Sequence, residues 1–282
     1  MDILVDAGWL AEHRDGVVVA DVRFYLDGRS SLDAYVAGHV PGAVYVDLGR
    51  DLSGPGAPTE GRHPLPSPDA FAAAMSRLGI GDDDVVVAYD DSGGGTAGRL
   101  VWMLRSIGHD AALLDGGLAA WPGPVESGPP AAPAPAPASF SSRPWPAAVR
   151  IGADDVAARA ASNSAAVLDA RPGDRYRGEI EPVDPRAGHI PGAVSAPWQE
   201  NLDPATGRFL PPAALRARFK ALGVRPGKPI VAYCGSGVSA CANLVALERA
   251  GITGAQLYVA SWSGWAADPD RPAATGEKAR PE

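Results

Sequence analysis

Short runs of consecutive apolar residues, rich in valine, recur along the chain. Between them lie longer stretches whose apolar positions return every third or fourth residue. Residues 85–88 and 229–232 are such short runs and predict strands buried on both faces. Residues 68–78 and 212–222 predict helices, each opened by a proline and closed beside a glycine. Residues 96–107 and 238–250 carry the same helical spacing. Strand and helix alternate, which predicts an α/β fold of mainly parallel sheets flanked by helices.

The pattern occurs twice. Gly38-His39-Val40-Pro41-Gly42-Ala43-Val44 returns as Gly188-His189-Ile190-Pro191-Gly192-Ala193-Val194. An apolar run ending in Asp21 and Arg23 returns as one ending in Asp169 and Arg171. Leu78-Gly79-Ile80 matches Leu222-Gly223-Val224, Val86-Val87-Ala88-Tyr89 matches Ile230-Val231-Ala232-Tyr233, and Trp121 and Trp265 close the two stretches. Offsets of 144 to 150 positions, in constant order, mean two copies of one domain. The expected organisation is an N-terminal domain over residues 1–126, a linker over 127–145 and a C-terminal domain over 146–282. Alternating Pro and Ala in the linker favour polyproline II. The tail after Pro269, rich in Pro, Ala and charge, is expected to fray.

A chain of 282 residues, 46% hydrophobic and 21% charged, can give each copy its own core. The net charge of −8 turns bulk electrostatics away from nucleic acid and anionic membranes as partners. The N-terminus has early acidic residues and no long apolar run, unlike a secretory leader, and no stretch reaches the ~18 apolar residues of a spanning helix. The expectation is a soluble, cytoplasmic protein. Two cysteines, Cys234 and Cys241, are too few for a disulfide framework or a four-cysteine zinc site. The five histidines and scattered carboxylates form no metal-ligand spacing, so neither metal nor cofactor is expected.

Chemistry concentrates in Tyr233-Cys234-Gly235-Ser236-Gly237-Val238-Ser239-Ala240. A buried strand delivers Cys234 to its carboxyl end, where open α/β sheets bind ligands. Gly235 and Gly237 let the loop curl so that backbone N–H groups turn inward, just before a helix N-terminus. Such a nest favours a thiolate or a persulfide, and Ser236 and Ser239 can add hydroxyl donors. The plainer alternative is an inert, buried thiol. The first copy is an internal control: Asp90 stands where Cys234 stands, so that copy is expected to be catalytically silent.

These motifs resemble those of tandem-domain sulfurtransferases of the rhodanese superfamily along nearly the whole chain. The resemblance rests on the Gly-His-(Val/Ile)-Pro-Gly-Ala segments, the Asp-x-Arg strand ends, the Cys234 loop, and Tyr258-Val259-Ala260-Ser261-Trp262-Ser263-Gly264-Trp265. It implies two tandem rhodanese-like domains and transfer of sulfur through a Cys234 persulfide. The neutral loop is similar to that of 3-mercaptopyruvate sulfurtransferases, whereas thiosulfate enzymes carry Arg-Lys after the cysteine. The donor is then 3-mercaptopyruvate, with thiosulfate as the alternative, and the acceptor is cyanide, a small thiol or a thioredoxin-like protein.

By the same resemblance Arg175 matches the substrate-binding arginine, its planar guanidinium suited to a carboxylate. Arg171 is a second substrate-binding candidate, although its Asp169-x-Arg171 context suits a structural ion pair. Backbone and side chains of Gly235, Gly237, Val238 and Ser239 complete the expected binding loop. His39 is expected to partner Ser236 in moving a proton, with Asp27 or Asp33 as acidic candidates, while His189 is expected to be a turn residue. Cys241 is expected to be a small buried helix residue rather than a redox partner. Phe24 and Tyr25 either wall the pocket or pack, and Trp262 and Trp265 are expected to pack. A cysteine phosphatase is disfavoured because Ala240 stands where a Cys-x5-Arg loop needs its arginine. A non-catalytic binding module is disfavoured by the intact Cys234 loop.

Overall fold

A computed structural model describes residues 1–130 and 138–277. The Pro/Ala stretch 131–137, the centre of the expected polyproline II linker, lies outside the described residues. The chain divides into two compact units. Unit 1 comprises Met1–Gly54, Leu65–Pro146 and Asp203–Phe209. Unit 2 comprises Pro55–Pro64, Ala147–Leu202 and Leu210–Glu282. The passage at Pro146 is close to the expected boundary. Two short stretches are assigned differently from a division by sequence order: residues 55–64 belong to unit 2 and 203–209 to unit 1.

Unit 1 carries strands β1 (Leu4–Val5), β2 (Val17–Asp21), β3 (Val44–Tyr45), β4 (Val85–Tyr89) and β5 (Ala111–Leu114) in one sheet. They lie in the order β1-β5-β4-β2-β3, all parallel. Its helices are α1 (Ala7–His13), α2 (Ser31–Ala37), α3 (Leu48–Asp51), α4 (Pro68–Arg77) and α5 (Ala97–Ser106). Strand β4 is central, and Val86, Val87, Ala88 and Tyr89 are fully buried, which is why it reads as an unbroken apolar run. Helix α4 starts where the proline signal placed it: Pro68 is its first residue and the Ser67 hydroxyl accepts the Ala70 N–H.

Unit 2 repeats the frame with β6 (Ala166–Asp169), β7 (Val194–Ser195), β8 (Ile230–Tyr233) and β9 (Gln256–Leu257), in the parallel order β7-β6-β8-β9. This is the order β3-β2-β4-β5 of unit 1 again. In place of β1, Arg150 forms a parallel bridge to Leu257. The helices are α6 (Ala153–Ala161), α7 (Gly173–Arg177), α8 (Pro212–Ala221), α9 (Ala240–Arg249) and α10 (Ser261–Ala267). Val231, Tyr233, Tyr258, Trp262 and Trp265 share one core cluster. The tail does not fray through Gly276. Ala274 exchanges backbone hydrogen bonds with His189, the Trp265 indole donates to the Pro272 carbonyl, and Gly276 N–H donates to the Arg177 carbonyl.

Candidate active site

The two copies share a buried polar frame at the carboxyl ends of their strands. In unit 2, Asp169 pairs across the sheet with Tyr233, the residue before Cys234. Arg171 donates from Nε and Nη2 to Asp169 and from Nη2 to the Gly188 carbonyl at 2.7 Å. The Tyr233 hydroxyl accepts the Ile190 N–H, and burial together with the neighbouring Asp169 holds its phenol far above the ordinary range. Unit 1 builds the same frame from Asp21, Arg23, the Gly38 carbonyl, Tyr89 and Val40. The histidines belong to it too. His39 Nδ1 lies 2.8 Å from the Tyr35 carbonyl oxygen and its ring stacks on Tyr35 at 3.8 Å; His189 does the same on Tyr176.

From that frame β8 delivers Cys234, whose residue is 1% exposed. Its backbone N–H donates to Ser261 Oγ at 3.1 Å, and Trp262 and Ser263 N–H groups donate to the carbonyls of Cys234 and Gly235. Ser261 holds φ at +54°, an uncommon left-handed conformation for a residue other than glycine, at the start of α10. Gly237 has φ +75°, and a Cβ there would run into the Val259 carbonyl oxygen. Helix α10 therefore braces the loop from below. Among the described residues, the N–H groups of Gly235, Ser236, Val238 and Ser239 take no protein acceptor.

The second wall comes from residues 55–64. The turn Pro58–Glu60 packs against α10. The approach is close because two glycines face it: a Cβ on Gly264 would sit 2.5 Å from the Thr59 carbonyl oxygen, and one on Gly61 would strike that of Ala260. Arg62 N–H donates to Ser263 Oγ, which fixes the chain where His63 Nδ1 lies 2.9 Å from Ser236 Oγ.

The third wall is the segment from α7 to Asp184. Arg175 is 8% exposed; its Nη2 donates to Glu181 at 2.5 Å and to Asp184 at 3.1 Å. Asp184 also pairs with Arg62 Nη1. Burial lifts the Asp184 carboxyl above its ordinary range, with Arg62 and Arg175 pulling it back. Arg171 also reaches Glu181 at 3.3 Å and lies 4.8 Å from the Trp262 ring centre. Burial alone would lower its pKa, but Asp169 reverses that and raises it.

In unit 1 the equivalent loop is closed by its own side chain. Asp90 Oδ1 accepts the N–H groups of Ser92 and Gly94, and Oδ2 accepts those of Thr96 and Ala97 and the Thr96 hydroxyl, all within 3.0 Å. An acidic side chain sits in the nest that unit 2 leaves facing Cys234.

Cys234, Ser236 and Arg175 thus lie in one unit, with Gly235, Gly237, Val238 and Ser239 in the loop between β8 and α9. Arg171 does not offer a free fork; its charge is used on Asp169, Glu181 and the Gly188 carbonyl. The expected pairing of His39 with Ser236 is not what the structure shows. His39 is 3% exposed and locked on Tyr35 in the unit 1 frame, and the histidine on Ser236 is His63. Asp27 is spent on Arg29, and the Asp33 N–H caps α2 through Ser30 Oγ. Cys241 is fully buried with its thiol on the Gly237 carbonyl. The Tyr25 hydroxyl donates to Asp91, and the Trp262 and Trp265 indoles donate to the carbonyls of Arg186 and Pro272. Sequence reading missed His63 and Arg62 because it weighed the repeated histidines. The signal was a difference between the copies: Gly61-Arg62-His63 returns 146 positions on as Gly207-Arg208-Phe209, so the histidine is the residue that the second copy does not repeat.

A duplicated parallel α/β frame with a strand-end cysteine facing an N–H-lined loop defines a protein of cysteine-based group transfer. The chain belongs to the rhodanese-like domain family, which matches it twice, over residues 6–123 and 152–268. It is 45% identical to a probable 3-mercaptopyruvate sulfurtransferase of Pseudomonas aeruginosa, over 93% of each chain. It is 39% identical to a putative thiosulfate sulfurtransferase, SseB, of Mycobacterium tuberculosis, over 97% of each. The crystal structure of SseA from Escherichia coli, described as a 3-mercaptopyruvate sulfotransferase, matches with a TM-score of 0.81 at 34% identity. It covers 93% of this chain and 99% of that one.

Proposed function

We propose that this chain is a sulfurtransferase that takes sulfur from 3-mercaptopyruvate and passes it, through a persulfide on Cys234, to a thiol or cyanide. The observation that carries the reading is the convergence of Cys234, the Ser236–His63 pair at 2.9 Å and the Arg175 guanidinium on one loop. The relatives named for 3-mercaptopyruvate support the donor.

In the first half-reaction the Cys234 thiolate attacks the donor sulfur. An S–S bond forms, the C–S bond breaks, and its electron pair leaves as pyruvate enolate, which takes up a proton. Ser236, hydrogen-bonded to His63, is the group placed to move that proton. Backbone N–H groups of the loop hold the outer persulfide sulfur. In the second half-reaction an acceptor thiolate or cyanide attacks that sulfur, and the S–S pair returns to Cys234 as thiolate. Unit 1 is silent in this scheme, since Asp90 offers no thiol and fills its own loop. A thioredoxin-like protein is the proposed physiological acceptor, and the cytoplasm the proposed compartment, in keeping with two cysteines that form no disulfide.

Incubation with 3-mercaptopyruvate should add one sulfur atom to the Cys234 peptide, read by mass spectrometry, and Cys234→Ser should abolish both the adduct and turnover. Turnover surviving in Cys234→Ser refutes the reading.

A further inference from the structure

Tyr89 and Tyr233 lie 144 positions apart, as do Trp121 and Trp265, so the residues between them match one to one. Ser261 then matches Gly117, and Ser263 matches Ala119. The backbone is alike at the two places. Ser261 has φ +54° and Gly117 has φ +58°. Trp262 N–H donates to the Cys234 carbonyl at 2.9 Å, and Leu118 N–H donates to the Asp90 carbonyl at 2.8 Å. The silent copy therefore makes this turn with no hydroxyl at either position. Glycine takes a left-handed φ at no steric cost, whereas a serine there is strained. The two hydroxyls belong only to the copy that carries the cysteine.

Both find partners at the cysteine loop. Tyr258 N–H donates to the Ala232 carbonyl at 3.0 Å, so an unbroken parallel ladder would run its next rung from Cys234 N–H to the Tyr258 carbonyl. The Ser261 hydroxyl stands in that rung instead. It accepts the Cys234 N–H at 3.1 Å and donates to the Tyr258 carbonyl at 2.8 Å. Ser261 is wholly buried. This wedge fixes the backbone of the nucleophile, and with it the direction of the Cα–Cβ bond that carries the sulfur. Two residues on, Ser263 Oγ donates to the Ala260 carbonyl and accepts the Arg62 N–H, both at 3.1 Å. The next residue after Arg62 is His63, whose Nδ1 lies 2.9 Å from Ser236 Oγ.

We propose that Ser261 and Ser263 are positioning residues for sulfur transfer, which from the start of α10 hold Cys234 and the Ser236–His63 pair in register. The inference rests on the sulfur-transfer reading above. The thiolate must meet the donor sulfur in line with the breaking C–S bond while a proton source stands beside the leaving carbon, and small misplacements of either group are costly. One short helix sets both.

The test is steady-state and single-turnover sulfur loading of the full chain from 3-mercaptopyruvate. Ser261→Gly and Ser261→Ala should each lower kcat roughly 10- to 100-fold and leave KM within about threefold of the parent. Ser261→Ala keeps the strained φ and should have the lower urea midpoint, yet the two variants should lose the same activity. A serine of purely structural use would make activity follow stability. Ser263→Ala should lower kcat roughly tenfold in the parent and not at all in His63→Ala, because it acts through His63. Ser261→Gly should lower kcat in both backgrounds. The proposal is refuted if Ser261→Gly, folded by circular dichroism, loads sulfur at the parent rate. It is equally refuted if Ser263→Ala has the same effect with and without His63. Failure of the parent chain to take sulfur from 3-mercaptopyruvate would instead remove the sulfur-transfer reading itself.

Discussion

His39 and His189 are one residue seen twice: each stacks at 3.8 Å on a tyrosine and holds that tyrosine's carbonyl oxygen through Nδ1. Repetition in a chain with one cysteine loop marks a structural role, and the motif that made His39 conspicuous is the reason it is not the partner of Ser236. The niche leaves a measurable trace at His189. Burial pushes its pKa below the ordinary histidine value of 6.5, with the Tyr176 carbonyl and Asp169 opposing that shift. The folded state therefore resists protonation. The stability contributed by neutral His189 is complete above the unfolded value and drains away as pH falls from there toward the folded one. Urea midpoints should drop between pH 7.5 and 5.5, and His189→Gln should flatten that drop whatever it does to stability at pH 7.5. An unchanged drop in the variant would remove His189 from the account.

The loops after β4 and β8 show how far an element can be read from its letters. Cys234 and its glycines were legible because a reactive loop needs special residues at fixed places, and Asp90 was legible as a lost thiol. That the Asp90 carboxylate gathers four N–H groups and a hydroxyl was not legible, because those bonds depend on the curl of the loop. The same five-bond grip assigns Asp90 a structural task. Asp90→Ala leaves buried donors of Gly94 and Ala97 without an acceptor, at a cost of about 2–4 kcal/mol. Asp90→Asn keeps one acceptor oxygen and should cost less. Denaturant unfolding measures both; a loss in Asp90→Ala below about 0.5 kcal/mol would mean that solvent replaces the carboxylate.

At the scale of the molecule, duplication was readable from end to end, but a unit is not a contiguous half. Periodicity and motif order report strands and helices that lie in sequence, whereas residues 55–64 carry no periodic signal and belong with unit 2 through two facing glycines, the Ser263 hydroxyl and Asp184. The same contacts place Arg62 and His63 beside a cysteine some 170 positions further on, a separation that no local pattern encodes. Dividing the chain at Pro146 therefore divides unit 2. A fragment of residues 147–282 keeps Cys234, Ser236 and Arg175 but loses the wall that carries His63 and Arg62 and covers Gly264. Its loading with sulfur from 3-mercaptopyruvate should fall at least about 100-fold against the whole chain, since both the guanidinium beside Gly235 and the histidine on Ser236, proposed above to help move the proton, are gone. Grafting residues 55–64 onto the fragment's N-terminus through a flexible linker should recover part of that loss. A bare fragment that loads as fast as the whole chain would show that residues 55–64 take no part in the site.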